Sequence, residues 1–353
     1  MYGAVPEWVN LKSRVEREEV EIFLQGFNLI LDQDVDYTLV IRNEAASGAF
    51  IIGTCSKAKN VLKCFAVREA FQGEGIASIL VSALLDKLFS QGVYHSFIFT
   101  KPANVRIFSS LNFKLIHSNA EVALLENGIY DIHQALEKMK ERYNLGDEAK
   151  ATLVMNCNPF TLGHRYLIEE VAKRNKEVLV FIVEEDRSLF PFETRYKLVG
   201  KGVADLRNVQ VVPGGEYIIS SATFPAYFLR EEGERLRAYV ELDSSIFAKY
   251  FCKSLNITAR YVGDEPYCQV TEAYNQALKK VLPTYGVKLH QIKRKTSGGI
   301  SISASRVRYL IKEGHLLNSE ELKNLLPEVT LDFLDTDLGR EIVEKIKSSH
   351  SPH

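Results

Sequence analysis

The sequence predicts an α/β protein of two domains: a mixed α+β domain over residues 1–145, then a doubly wound α/β domain over residues 146–353. Three observations lead there. The chain has 353 residues, more than a single core usually organises. A highly charged stretch, "EKMKERYNLGDEAK" (137–150), carries a Gly-Asp stop signal and separates two strongly apolar-patterned halves, as the end of a helix plus a linker would. Beyond it, short continuous apolar runs alternate with helical patterns, the signature of a parallel sheet covered on both faces.

In the first half, the 3.6-residue period gives a helix around Val15–Phe27. "DYTLVI", "GAFIIGTC" and "VLKCFAV" read as strands. Ile76, Ile79, Leu80, Ala83, Leu84 and Leu88 then mark one face of a long helix. Its entry, "QGEGIA" (72–77), places Gly73 and Gly75 where backbone N–H groups meet the positive end of the helix dipole. A ligand anion can approach closely there. Taken alone, such a turn is as well explained by a tight strand-to-helix connection. "HSFIFT" (strand), "ANVRIFSSLNF" (helix) and "VALLE" (strand) follow.

In the second half, "ATLVMN" (151–156) is a strand. Leu167, Ile168, Val171 and Ala172 mark a helix face, and "EVLVFIV" (177–183) is a buried strand, so the three form a βαβ unit. "NVQVV", a helix within 242–255, "ITARYVGDEP", a helix within 271–282 and "VKLHQI" repeat the theme. Ligands in such sheets bind at the carboxyl ends of strands. The loop after the first strand, "NCNPFTLGH" (156–164), lies at that edge. Pro159 stiffens it, Thr161 offers a hydroxyl, Gly163 lets the helix approach a ligand, and His164 offers a ring N–H to an anionic oxygen. Alone, His164 would more simply be a helix-start or core histidine, and Thr161 a cap.

Far downstream, "SISASRVR" (301–308) opens another helix. Ser303 and Ser305 bring hydroxyls and backbone N–H groups, and Arg306 and Arg308 bring permanent charge, a composition suited to an anion. Gly263 and Asp264 end another strand, and either nucleotide contacts or a plain turn explains them. Glu184, Glu185 and Asp186 at a strand end are suited to magnesium held through water, or to a solvated turn. "EYIISSATFPAYF" (216–228) walls an acyl site or packs the core.

Composition sets outer limits. Apolar residues make up 46% and charged residues 25%, with a net charge of −1, so nothing favours nucleic acid or an acidic membrane. No apolar run approaches the ~18 residues of a membrane helix, and the N-terminus lacks the apolar core of a signal peptide. The five cysteines form no C-x-x-C pair, which disfavours a zinc site or a disulfide framework. A cytoplasmic protein is expected, with no metal ligands of its own and a disordered "SSHSPH" tail.

Two resemblances sharpen this reading. The order strand, "QGEGIA", long helix, strand, short helix ending "LNF" resembles the GNAT acetyltransferase family over roughly residues 14–126. There the Q/R-x-x-G-x-G/A turn holds the pyrophosphate of coenzyme A, which implies that role for Gln72, Gly73, Gly75 and Ala77. Asn112 stands where a Gly often precedes the Phe. "TLGH" after a first strand plus "ISASRVR" at a late helix resembles the HIGH-type nucleotidyltransferases, which have a Rossmann-like core. This implies ATP contacts for Asn158, Thr161, Gly163, His164, Gly263, Asp264, Ser303, Ser305 and Arg306, with His164 and Arg306 catalytic.

The pairing of both halves, with "NPFTLGHRYLIEEV", "EYIISSATFPAYFL" and "GDEPYCQVTEAYNQ", closely resembles the citrate lyase ligase family from about residue 14 to 335. That resemblance implies a ligase using ATP, Mg2+ and acetate, with the citrate lyase acyl carrier subunit as partner. A cofactor-biosynthetic adenylyltransferase fused to an acetyltransferase, or a nucleotide- or CoA-sensing regulator, stands as the alternative. A pure sensor would need neither "TLGH" nor "ISASRVR".

Overall fold

A computed structural model describes residues 5–45, 48–186, 188–220, 223, 234–264 and 269–349. The chain divides into two compact units, Met1–Asp131 and Ile132–His353.

The first unit contains β1 (Glu7–Trp8), α1 (Arg14–Gln25), β2 (Tyr37–Ala45), β3 (Gly48–Ala58), β4 (Val61–Val67), α2 (Ile76–Ser90), β5 (His95–Thr100), α3 (Val105–Ser109), β6 (Lys114–Ser118) and β7 (Ala123–Gly128). The strands form one sheet in the order β1-β2-β3-β4-β5-β7-β6. Strand alternation feeds two cores. Leu39 and Ile41 of β2 pack with α2 residues Ile76, Leu80 and Leu84, while Val40 points the other way onto Val20, Phe23 and Leu24 of α1. Neighbouring strands run antiparallel except β4 and β5, which are parallel and pair only at Val61↔Phe97 and Leu62↔Ile98. The rest of β4, running into the Gln72–Ala77 turn, stays paired to β3. Gly53 makes room for this turn, since a Cβ there would lie 2.7 Å from Ile76. The short α3 is followed by Asn112 at φ 64°, the left-handed position that glycine or asparagine supplies after a helix.

The second unit begins earlier than the charged linker suggests. "EKMKERY" belongs to α4 (Ile132–Tyr143), whose His133 ring meets Tyr250 at 5.2 Å. The Tyr143 carbonyl accepts from Gln210 Nε2 at 2.6 Å, which ties this helix to the second unit.

Then come β8 (Lys150–Met155), α5 (Leu162–Ala172), β9 (Val178–Ile182), α6 (Phe192–Gly202), β10 (Val209–Pro213), α7 (Glu234–Ile246), β11 (Ile257–Gly263), α8 (Gln269–Val281) and β12 (Lys288–Ile292). The helix expected within 242–255 starts sooner, at Glu234, and continues through a π-helical stretch, Phe247–Cys252. The five strands are all parallel, in the order β10-β9-β8-β11-β12. Strand order reverses between β8 and β11, the topological switch point where such sheets form a ligand crevice at their carboxyl ends. A small hairpin, β13 (Thr296–Ser297) with β14 (Ile300–Ser301), leads into α9 (Ala304–Lys312). α10 (Glu320–Lys323), α11 (Glu328–Leu334) and α12 (Asp337–Ser348) end the chain. Among the described residues no helix is long and apolar enough to cross a membrane.

Candidate functional site

The loop after β8 is held from several sides. Arg195, with no exposed surface, donates from α6 to the carbonyls of Asn156, Val183, Glu185 and Phe190 and to Asn156 Oδ1, at 2.6–3.2 Å. Buried carbonyls must find donors, and one guanidinium serves the loops following both β8 and β9. Asn158 Oδ1 accepts the Phe190 N–H at 3.0 Å. Asn158 Nδ2 is buried with no hydrogen-bond partner among the described residues. The Asn158 carbonyl accepts from Arg308 Nη1, which fastens α9 to this loop.

α5 starts with a reciprocal cap. Thr161 Oγ1 accepts the His164 N–H at 3.3 Å, and His164 Nδ1 accepts the Thr161 N–H at 3.1 Å. Thr161 Oγ1 also lies 2.8 Å from Nδ1. This is a capping box with histidine in place of the usual Glu or Gln. Because Nδ1 accepts a backbone N–H, the proton of the neutral ring sits on Nε2. Burial, and then the nearby Arg294, lower the His164 pKa to about 3. His164 is therefore a fixed, uncharged donor across ordinary pH.

Two expectations change here. Thr161 is fully buried and its hydroxyl is engaged with His164, so it positions the histidine instead of presenting a free hydroxyl. Gly163 does not open space for a ligand. A Cβ there would lie 2.6 Å from the carbonyl oxygen of Ile302. Its missing side chain lets the segment before α9 lie against the first turn of α5.

That contact unites the two distant motifs. Ser303 caps α9 through its Oγ, which accepts the Arg306 N–H at 3.2 Å. Ser305 is exposed, and Arg306 Nη1 donates to the Ser297 carbonyl at 3.3 Å. Two helix N-termini thus start side by side. In α5 the Leu162 N–H donates to the Leu325 carbonyl at 2.9 Å and the His164 N–H to its cap. At the α9 start the cap takes the Arg306 N–H, and the N–H groups of Ala304 and Ser305 open the first turn. Gly263 and Asp264 bound the same region: a Cβ on Gly263 would meet Leu167 at 3.2 Å and Arg294 at 3.6 Å. Asp264 Oδ1 accepts the Arg294 N–H at 2.8 Å, and the Asp264 carbonyl accepts from Arg294 Nε at 2.6 Å. Asp264 thereby orients Arg294. Sequence reasoning missed Arg294 and Arg195. The run "KRK" (293–295) just before the second motif signals the former. Nothing local signals the latter.

The acidic strand end is less site-like. Glu184 accepts the Gly215 N–H at 2.9 Å, and Asp186 accepts the Phe192 N–H at 3.0 Å. Burial raises the Glu184 pKa. Among the described residues no group of three or more His, Cys, Asp or Glu is arranged to hold a metal. Burial also pushes the Cys157 and Cys252 thiols up to about 12, so neither is a ready nucleophile. Glu265 and most of 221–228 lie outside the described residues, as do Cys268 and the last four positions of the tail.

In the first unit, Gly73 and Gly75 both adopt φ 83°, and a Cβ on either would meet nothing within 4 Å. Gly75 is the N-cap of α2. Gln72 Nε2 donates to the Val67 carbonyl at 3.2 Å, and Ala77 is half-buried in the first turn. The turn is solvent-exposed, with the helix N–H groups behind it.

Comparison with known proteins agrees with both halves. The family described as Acetyltransferase (GNAT) matches residues 7–111, and that described as Citrate lyase ligase C-terminal domain matches residues 150–334. The [Citrate [pro-3S]-lyase] ligase of Klebsiella pneumoniae is 34% identical over 329 residues, covering 92% of this chain and 94% of that protein. The ligase of the same name from Escherichia coli (strain K12) is 36% identical over 322 residues, covering 90% and 89%. With a family match over more than half its length and full-length relatives at this identity, the chain belongs to the citrate lyase ligase family.

Proposed function

We propose that this ligase acetylates the thiol of the CoA-derived prosthetic group on the citrate lyase acyl carrier subunit. ATP drives the reaction through acetyl-AMP, and AMP and pyrophosphate are released. The observation that carries this reading is the junction of the α5 and α9 N-termini beside His164, at the switch point of the parallel sheet.

In the first step a carboxylate oxygen of acetate attacks the α-phosphorus of ATP in line. The bond from that phosphorus to the bridging oxygen breaks, and pyrophosphate leaves. Such displacements depend on positioning and on charge stabilisation. The N–H groups of Ala304 and Ser305, opening α9 beside the α5 start, receive phosphate oxygens. His164 donates from Nε2, and Arg306 and Arg294 gather negative charge as the bond breaks. Ser303 and Ser305 hold the departing phosphates, while Asn158, Gly263 and Asp264 shape the rim that receives the nucleoside. Magnesium would supply charge neutralisation for the triphosphate.

In the second step the thiolate sulfur attacks the acetyl carbonyl carbon, the carbon–oxygen bond to AMP breaks, and a thioester remains. The first unit serves this acceptor. Gln72, Gly73, Gly75 and Ala77 bind the pyrophosphate of the prosthetic group against the α2 N-terminus, with no use of acetyl-CoA.

The test is ATP–pyrophosphate exchange with ATP, magnesium and a panel of small carboxylates. Acetate-dependent exchange is expected. Exchange that depends on a phosphate substrate and ignores acetate would favour a cofactor-biosynthetic adenylyltransferase, and ATP binding without turnover would favour a sensor.

A further inference from the structure

Behind the sheet face opposite α5 lies a polar cluster that the nucleotide chemistry does not use. Arg260 of β11 is 2% exposed, yet its Nε and Nη1 have no hydrogen-bond partner among the described residues. Only Nη2 is engaged, donating to the Tyr274 hydroxyl at 3.3 Å. That hydroxyl donates onward to Asp243 Oδ2 at 2.6 Å, and Asp243 Oδ1 accepts the Ile219 N–H at 3.0 Å. The carboxylate is thus occupied; it lies close enough to act on the Arg260 charge, but Nε and Nη1 of the guanidinium keep no hydrogen-bond partner among the described residues. One residue along α7, the buried Ser244 hydroxyl also has no partner among the described residues. A permanently charged fork buried with two unpaired nitrogens is costly.

We propose that Arg260 is the binding residue for the small carboxylate substrate, held in an aromatic surround that includes Phe247 and Tyr274. The Arg260 guanidinium carbon lies 4.2 Å from the Phe247 ring centre and 5.3 Å from that of Tyr274. Small-molecule sites pair a mainly apolar and aromatic lining with one or a few charged groups that fix orientation. The Tyr274–Asp243 pair positions the guanidinium and touches no substrate. Placement agrees. Arg260 stands three residues before Gly263 on the strand that borders the switch point, in register with Thr152 of β8. Ile219, which bonds to Asp243, follows β10 at the carboxyl edge of the sheet.

This inference rests on the proposed adenylation of acetate, and the experiment separates the two. In full-length protein, acetate-dependent ATP–pyrophosphate exchange is measured for wild type, Arg260→Lys and Arg260→Met. The KM for acetate should rise roughly 10- to 100-fold, as for loss of hydrogen bonds to a charged group, while the KM for ATP stays within about twofold. Thermal unfolding of the same proteins is compared in sodium acetate and in equal sodium chloride. Acetate should stabilise wild type and neither variant. If wild type shows no exchange but this Arg260-dependent stabilisation remains, the adenylation reading fails and the carboxylate site stands. Unchanged acetate KM in a folded variant overturns the site. So does wild type with no acetate-specific stabilisation, which also decides the matter should neither variant fold.

Discussion

The chain contains two strand–turn–helix junctions that look alike as sequence, Gln72–Ala77 and Cys157–His164, and they are built on opposite principles. In the first, glycine is needed for backbone conformation: Gly73 and Gly75 both sit at φ 83° with open space where a side chain would project. In the second, Gly163 lies inside a helix and is needed because the Ile302 carbonyl occupies the place of its Cβ. One turn is an open cradle. The other is half of a joint whose second half is the start of α9. A glycine at a helix N-terminus therefore does not by itself say that a ligand comes close; what fills the missing side chain's space decides.

The largest expected effect falls on the closed junction. His164→Ala removes the uncharged Nε2 donor, and acetate-dependent exchange should drop by ~10²–10³, the usual worth of one stabilising donor. Loss of its half of the capping box should cost about 1 kcal/mol of stability. The pH dependence gives an independent check. His164 binds a proton near the ordinary histidine pKa when unfolded and only at about 3 when folded. Between those values the unfolded state holds more protons, so its contribution to stability falls as pH is lowered through that window. In His164→Gln, unfolding followed by denaturant from pH 7 to pH 4 should lose part of that slope. An unchanged slope would mean that the ring is not held neutral.

Next in size is Gly163→Ala. The methyl group must displace backbone at Ile302, at a cost of about 1–3 kcal/mol. A shift of about 1 Å at the α9 start should lower exchange by ~10². The matched change in the open cradle, Gly75→Ala, meets no neighbour and pays only for its left-handed backbone, about 1–2 kcal/mol, with exchange unchanged. Equal loss of exchange in the two alanine variants would erase the distinction between cradle and joint.

Much of this was legible in the sequence, and the misses share a cause. The strands of the second unit read directly because a parallel sheet covered on both faces demands continuous apolar runs, and Val178–Ile182 is buried throughout. Thr161, His164, Ser303 and Arg306 read as helix-start residues because capping is local. The reason for Gly163 did not, since its partner Ile302 is distant in the chain. Arg195 and Arg260 were invisible for the same reason: an arginine in a helix or strand looks solvent-facing until the fold buries it. The two-residue β1 and the strand Lys114–Ser118, with Ile116 as its buried residue, carry too short a pattern to read.

The most direct measurement pairs two variants and two assays: acetate-dependent ATP–pyrophosphate exchange, and acetyl transfer to the thiol of the carrier subunit, in Gly75→Glu and His164→Ala. Gly75→Glu puts bulk and negative charge into the open cradle. It should abolish transfer while leaving exchange near wild type. His164→Ala should lower both together. Loss of exchange in folded Gly75→Glu, or transfer unimpaired by it, would contradict a division of labour between the two helix N-termini.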